Sequence, residues 1–390
     1  MKKIFTFVLC LFYIVSTNAQ DNNRYSAFQL SLVHPLSTNG AMAAEYTNGA
    51  SVNILMGLSK NENSLAIAGL GNIILHDAAG LQLAGAVNYI GNEGKGVAIG
   101  GLVNLTRDSY NGLQLGGLVN ATGKTKGMQF SGMLNTATDV KGIQFSGLVG
   151  VAKKVKGLQF SGMLNTATDV KGVQFSGMVG VAKKVKGLQF SGMLNTATDV
   201  KGVQFAGLVN VARKVNGMQF AGLINVATDS DYPIGIINII RHGRNGIGIT
   251  YDMTGNMMLA FRTGSRYTYG IIGFGYNPIH NVTAAECGYG AHIPVCKWFE
   301  INNEIKATSI YGTNDISAFN IFNIGYLLAP SFTVADHYNL FAGVSLNFMS
   351  SGDSAASSFF PKHSLWKRYS PCRGQRQLYI GYQVGLQYIF

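Results

Sequence analysis

Charge is what this 390-residue chain has least of: Asp, Glu, Lys and Arg together make up 12% of it, about half the share usual in a soluble domain. An ordinary soluble globule is therefore not expected. Disorder is excluded as well, because a disordered chain needs high charge and few aromatics, whereas aromatics reach 11% here. Long apolar runs are missing too. After Val15, Gly, Asn, Gln or Ser interrupts every apolar stretch within a few positions, so helices cannot carry this chain through a membrane. A closed β-barrel is the remaining way to satisfy every backbone group in lipid.

Cysteine is scarce, with 4 in the chain. Cys10 lies in an N-terminal apolar core, and the other three, Cys287, Cys296 and Cys372, are an odd number that cannot complete a disulfide framework. Cys287 and Cys296 flank a turn-like stretch, which is compatible with a cross-strand disulfide in an oxidising compartment and equally with unpaired strand residues. No paired-cysteine zinc spacing occurs.

Residues 1–19 read as a secretory signal peptide. Lys2 and Lys3 supply the charged start, Ile4 to Val15 the apolar core, and Thr17-Asn18-Ala19 a small-residue site for cleavage before Gln20. Twelve or so apolar residues are too few to span a bilayer. Loss of the two lysines takes the formal charge from +12 to +10.

What the chain has in abundance is glycine, 50 residues, and much of it is periodic. Gly112, Gly127, Gly142, Gly157, Gly172, Gly187, Gly202 and Gly217 open successive 15-residue units. Residues 127–156, 157–186 and 187–216 are nearly identical 30-residue copies, and looser units begin near Ser64, Gly80 and Gly96. Each unit alternates with period two, which is strand periodicity. Met128, Phe130, Gly132, Leu134 and Thr136 share one face; Gln129, Ser131, Met133 and Asn135 share the other. Ten strand residues plus a short turn fill a unit, the length of a tilted transmembrane strand.

A 15-residue strand repeat fits either a parallel solenoid with one coil per unit or an antiparallel meander with one strand per unit. Segments 123–126, 153–156, 183–186 and 213–216 are Lys/Arg-rich, while 138–141, 168–171 and 198–201 each pair one Asp with one Lys and 228–231 carries Asp229 and Asp231. Alternating turns suit the two ends of an antiparallel sheet, so the meander is preferred. The register that follows sets Phe130 opposite Gly147 and Gly132 opposite Phe145, each ring covering a bare glycine backbone.

Further strands are expected near 25–34, 45–57 and 64–75. Downstream they are expected at 233–241, 245–253, 257–263, 267–276, 281–291, 296–310, 317–330 and 337–348, and finally over 378–390. In the last one Leu378, Ile380, Tyr382, Val384, Leu386, Tyr388 and Phe390 form an apolar-aromatic face ending on the terminal Phe, which resembles the assembly signal of bacterial outer-membrane barrels. The count is about 22, an even number. With both termini in the periplasm, the longest connection, 349–376, faces outward, and the Lys-rich turns with Arg241 and Arg244 face the periplasm.

The repeats, with 232–277 (Tyr-Pro-Ile-Gly-Ile-Ile-Asn, Leu-Ala-Phe-Arg-Thr-Gly and Tyr-Thr-Tyr-Gly-Ile-Ile-Gly-Phe-Gly-Tyr-Asn), resemble the bacterial surface repeat-containing proteins, built of Gly-Leu-Gln-x-x-Gly-Leu-Val-Asn-type units. The resemblance covers roughly 64–277 and implies export and a surface location. It brings no reaction, substrate or site. This chain departs from the commoner Gly-Gly by placing Ser131 or Ala206 before the second Gly.

No nucleophile elbow, phosphate loop, dinucleotide fingerprint or zinc-protease helix is present, so neither an enzyme nor a cofactor is expected. The seven histidines, 34, 76, 242, 280, 292, 337 and 363, fall mostly at strand ends or turns. The basic balance sits in short turns without interleaved aromatics, which argues against nucleic acid and leaves turn solubility or acidic lipid head groups. The inward face carries a neutral belt of Gln114, Gln129, Gln144, Gln159, Gln174, Gln189, Gln204 and Gln219, with Ser131, Ser146, Ser161, Ser176 and Ser191. A lumen so lined would pass uncharged solutes with little charge selectivity, or be closed by hydrogen bonds among these side chains.

The expectation is thus an all-β protein: a signal peptide over 1–19, then a single antiparallel outer-membrane barrel over 20–390, with repeat strands at 64–231 and non-repeat strands at 232–390. It would be a monomer inserted by the barrel-assembly machinery into outer-membrane lipid, acting as a passive pore or scaffold for an unidentified solute or ligand. The alternative is a surface β-solenoid on a smaller barrel, with an adhesive or structural role.

Overall fold

The computed structural model describes residues 24–313, 318–335, 337–352, 356, 359–370 and 374–390. The expected signal peptide and Cys372 lie outside the described residues. The chain divides after Ala152 into two compact units, each taken in turn.

The first unit is a parallel β-solenoid. Arg24–Val33 pairs in parallel with Tyr46–Asn53, which pairs with Asn61–Ala68, then Ala78–Ala84, Glu93–Gly100, Val103–Gly116, Val119–Ser131 and Leu134–Ser146. Met56–Ser59, Gly71–Ile74 and Val87–Ile90 form the facing wall, and the start of Val103–Gly116 continues it. One repeat unit makes one circuit, so like residues stack on like. Gly112 lies beside Gly127 and Gln114 beside Gln129; Gly127 lies beside Gly142 and Gln129 beside Gln144.

The second unit carries the same coil geometry. Leu164–Ser176, Val179–Ser191, Asp199–Ala206, Lys214–Ala221 and Asp229–Ile234 run parallel on one wall. Leu194–Thr196, Val209–Val211, Ile224–Ala227 and Ile237–Ile240 run parallel on the other. Glycine is required where each coil tightens. Gly187 has φ +128°, and a Cβ there would sit 2.2 Å from the carbonyl oxygen of Gly172 one coil before, inside any allowed contact.

Parallel stacking overturns three expectations. The repeats are not antiparallel barrel strands, so the 22-strand barrel does not form. Phe130 is level with Phe145, not Gly147, and the rings stack along the solenoid, with centroids 5.1 Å apart for Phe175–Phe190 and 4.4 Å for Phe190–Phe205. Met133 leaves the Gln face because the coil turns at Gly132-Met133, exposing both.

The alternating turn charges have a different cause from the one expected. They occupy one edge, where Asp169 is level with Lys184, Lys184 with Asp199, Asp199 with Lys214 and Lys214 with Asp229. Neighbouring strands lie only about 4.8 Å apart, so this column sets opposite charges side by side, which is favourable, while two positions further on Lys171, Lys186 and Lys201 stack as like charges on the exposed edge.

After the last coil the second unit becomes an antiparallel barrel. Arg244–Asp252, Met257–Gly264, Thr268–Asn277, Val282–Cys296, Phe299–Thr313, Ala318–Ala335, Tyr338–Ser351 and Gly374–Ile389 pair in sequence. The eighth strand closes on the first, Ile389 beside Gly246 and Gln383 beside Asp252. The short Trp366–Ser370 extends the final strand's free edge as a hairpin. These eight strands match those expected from 245 onward to within a few residues, except that those expected at 281–291 and 317–330 run on to Cys296 and Ala335. Cys287 and Cys296 lie on one strand, Val282–Cys296, nine residues apart and so about 30 Å along it. Both are free, and a disulfide joining them is ruled out.

Alternation divides the barrel residues between two faces. Ile247, Ile249, Tyr251, Leu259, Phe274, Ile305, Ile324, Leu340, Val344 and Ile380 point outward and are exposed. Most Gly, Asn, Gln and charged residues point in, together with Ile271, Ile310, Ile321 and Leu327, while Thr283, Asn303 and Arg376 fall on the outward face. Outward aromatics gather near both strand ends. Phe261, Trp298, Phe299, Phe332, Tyr338, Tyr388 and Phe390 ring the end bearing the short turns, in mutual contact as Phe261–Phe390, Trp298–Phe332 and Tyr338–Tyr388. Tyr251, Tyr276, Tyr311 and Phe348 stand toward the other end.

Candidate functional site

The neutral glutamine belt is not the lining of a channel. Gln114, Gln129, Gln144, Gln159, Gln174, Gln189, Gln204 and Gln219 are each at most 1% exposed, packed between the two walls of the coils. Their amides form ladders along the stack. In the first unit Gln129 Nε2 donates to Gln114 Oε1 at 2.8 Å and Gln144 to Gln129 at 3.2 Å. In the second, Gln174 donates to Gln159, Gln189 to Gln174, Gln204 to Gln189 and Gln219 to Gln204, each at 3.0 Å.

A parallel asparagine ladder faces it. Asn72, Asn88, Asn104 and Asn120 each donate to the next asparagine, ending on Asn135. In the second unit Asn195 donates to Asn210, Asn210 to Asn225 and Asn225 to Asn238. Where the next coil has glycine in the column, Asn135 and Asn165 turn to Ser146 and Ser176. In-register parallel stacking is the arrangement in which such amides satisfy one another. The belt is a structural core of the coils.

The first coils hold one buried acid. Glu62 is 2% exposed; its Oε1 accepts from Asn48 Nδ2 at 2.9 Å and Ser51 Oγ at 2.8 Å, while Oε2 has no partner. Burial pushes its pKa up to about 7, against the lowering effect of those hydrogen bonds. Further along, the column that holds the Tyr110 ring over Gly94 narrows to Thr125, leaving a cavity of about 180 Å³ beneath Lys124, Lys126 and Lys141.

The barrel interior is filled in three layers. Toward the short-turn end, Arg244 makes a two-pronged pair with Glu300 at 2.6 and 2.9 Å. Asn339 donates to the same carboxylate, and His292 bonds Asn302 at 2.7 Å while stacking on Tyr269. In the middle, Arg262 Nε donates to Glu304 at 3.0 Å, Tyr269 OH donates to it at 2.9 Å, and Lys306 lies 3.4 Å from Glu286 and 2.6 Å from Gln383. Three cations thus meet three carboxylates. Above them a cavity of about 30 Å³, bordered by Glu286, Lys306, Asn347 and Tyr379, has room for about two waters. The far end is closed by Phe359 and Phe360 of the long connection, buried with Met258, Ile310, Ile321, Met349 and Tyr379. Among the described residues no group of His, Cys, Asp and Glu is placed to share a metal ion.

The sequence reading takes Arg244 for a periplasmic charge and His292 for a strand-end residue, and the other lumen residues go unremarked there, yet a signal is present. Glu300, Asn302, Glu304, Lys306 and Thr308 alternate at i, i+2 through an apolar strand, the pattern of a polar inward face. The proposed assembly residues Tyr382, Val384, Leu386, Tyr388 and Phe390 all lie on the outward face of the closing strand, 40–59% exposed.

Neither a protein-family model nor a curated protein matches the chain. Two solved structures align with 38% of it. One is described as de novo design of transmembrane β-barrels, at 14% identity with 93% of that chain covered and a TM-score of 0.21. The other is Neisserial surface protein A (NspA), at 11% identity with 94% of that chain covered and a TM-score of 0.22. The barrel itself is defined by its own strand pairing and by closure of the last strand on the first.

Proposed function

We propose that this protein is an outer-membrane anchor carrying a β-solenoid scaffold, and that it is neither a pore nor an enzyme. The observation that carries the reading is the filled lumen. An eight-stranded barrel is just wide enough for its own side chains, and here ion pairs, a tyrosine and two phenylalanines occupy it. Apolar outward residues between two aromatic groups are what lipid requires of such a barrel. The outward Tyr382-to-Phe390 face would serve the barrel-assembly machinery, with the protein inserted as a monomer.

In barrels of this class short turns face the periplasm and long loops face outward. The connections at 265–267 and 297–298 are short, and Phe359 and Phe360, from the segment between the last two barrel strands, lie at the opposite end. The chain leaves the solenoid and ends at Phe390 on the short-turn side. On this reading the solenoid hangs on the periplasmic side, and the scaffold role serves the cell envelope's interior. It does not act as an adhesin outside the cell.

Conductance of the purified protein in planar bilayers tests the anchor reading. Protein shown by heat-modifiable migration to be inserted should give no discrete steps. Large, steady steps would overturn the closed lumen.

A further inference from the structure

Each coil has two edges of opposite character. In the second unit the Gly-Met corner places Met163, Met178, Met193, Leu208 and Leu223 directly above one another, each 40–46% exposed. Their backbones are joined in a ladder, the N–H of Met178 to Met163, Met193 to Met178, Leu208 to Met193 and Leu223 to Leu208. The stacked phenylalanine column flanks this corner. The opposite edge is the Asp/Lys ladder with Lys171, Lys186 and Lys201, all three exposed, two positions further on. In the first unit Leu70, Leu102, Leu118, Met133 and Leu148 make the same exposed corner. Within each unit the result is a contiguous row of exposed apolar side chains, the kind of surface that marks an interaction site.

We propose that this ridge is a lipid-contact surface. The solenoid lies with its Met/Leu/Phe edge in the acyl-chain boundary of a bilayer leaflet and its Asp/Lys edge in water. This inference rests on the anchor reading above, and four observations select lipid as the occupant. In-register repetition makes the ridge straight and uniform, matching a planar interface and offering no pockets that would single out one protein partner. Unbranched methionine side chains adapt to irregular apolar surroundings. Charge is confined to the far edge, the division that keeps an interfacial element lying in the plane of a membrane. Within the second unit, the last coil is bound to the barrel's rim: Asn238 N–H donates to Thr263 Oγ1 at 2.9 Å, Thr268 Oγ1 donates to Pro233 O at 2.8 Å, and Tyr232 stacks on Tyr267 at 5.2 Å. The ridge therefore starts beside the aromatic end of a barrel whose own outward face is apolar.

The test uses the full mature chain refolded into vesicles of phosphatidylethanolamine and phosphatidylglycerol, with Cys287, Cys296 and Cys372 changed to Ser. Single labelling sites are introduced as Met193→Cys on the ridge, Lys184→Cys on the charged edge and Phe274→Cys on the barrel exterior. Each is coupled to an environment-sensitive fluorophore and challenged with lipid-borne nitroxide or aqueous iodide. The label at 193 should be quenched severalfold more by nitroxide than the label at 184, and should resist iodide. Iodide quenching at 193 with lipid quenching at 274 would overturn the ridge proposal and leave the anchor intact. Shielding of 193 from both quenchers would mean that another protein surface, such as a second copy, covers the ridge, and would also overturn it. Absence of lipid quenching at 274 would overturn the anchor reading and the ridge together.

Discussion

Gln189 donates from Nε2 to Oε1 of Gln174 at 3.0 Å and accepts from Nε2 of Gln204 at the same distance. One side chain thus satisfies a buried donor and a buried acceptor in two neighbouring coils. The parallel coils link their buried glutamines by this relay.

Replacing Gln189 by the similarly sized Met should break the relay twice. Gln174 Oε1 loses its amide donor and Gln204 Nε2 its acceptor, at roughly 1–3 kcal/mol for each orphaned group. Lys186→Met, on the exposed edge of the same coil, should stay within about 0.5 kcal/mol of the parent. Hydrogen exchange across 172–206 would register the first loss as faster local opening. Equal protection in the two variants would mean the ladder contributes nothing.

Copy number should be tolerated in pairs and resisted singly. Deleting 172–201 removes two coils and leaves Asp169 facing Lys214, whereas deleting 172–186 sets Asp169 against Asp199. Like charges directly opposite across strands cost up to about 1 kcal/mol. The single-coil deletion should therefore melt lower in dilute buffer, and about 1 M salt should close the gap. A salt-independent difference would assign the effect to packing.

Glu62 predicts a pH dependence in the first unit. Its folded pKa of about 7 lies above the ordinary carboxyl value of 4.5, so the folded state holds the proton more tightly. The stability this contributes is complete below about pH 4.5 and is lost as pH rises through about 7. The total loss is about 3 kcal/mol, from 1.36 kcal/mol per pKa unit. Glu62→Gln, which mimics the protonated acid, should flatten the dependence and protect the amides of 46–68 better than the parent at pH 8–9. Identical pH profiles for the two proteins would refute the assignment.

Arg262 and Glu304 are 3% and 1% exposed, paired inside the barrel. Breaking the pair alone, by Glu304→Gln or Arg262→Met, should cost about 3–5 kcal/mol by leaving a buried charge uncompensated. The combined Arg262→Met, Glu304→Met variant should lose less than the sum of the singles, because neither charge is then stranded. Urea unfolding of the inserted barrel, followed by heat-modifiable migration, measures the cycle. Simple additivity would show that the two side chains act independently.

Much of the fold was legible in the residues. The 15-residue period, the strand alternation, the eight C-terminal strands and the apolar outward face of 378–390 follow from local pattern alone, because side-chain period and turn chemistry are local properties. Partner choice is not local. A period-two strand looks the same whether its neighbour runs parallel or antiparallel, and Gln129 reads equally as lumen lining or as a rung bonded to Gln114. Even the alternating Lys and Asp turns fit both arrangements until Asp199 is found level with Lys184 on a single edge. Tertiary structure alone decided that one repeat closes one coil, that the barrel needs eight strands rather than 22, and that Arg262, Glu304 and Phe359 fill it. Those outcomes depend on stacking at strand spacing and on residues far apart in sequence converging, which no window along the chain contains.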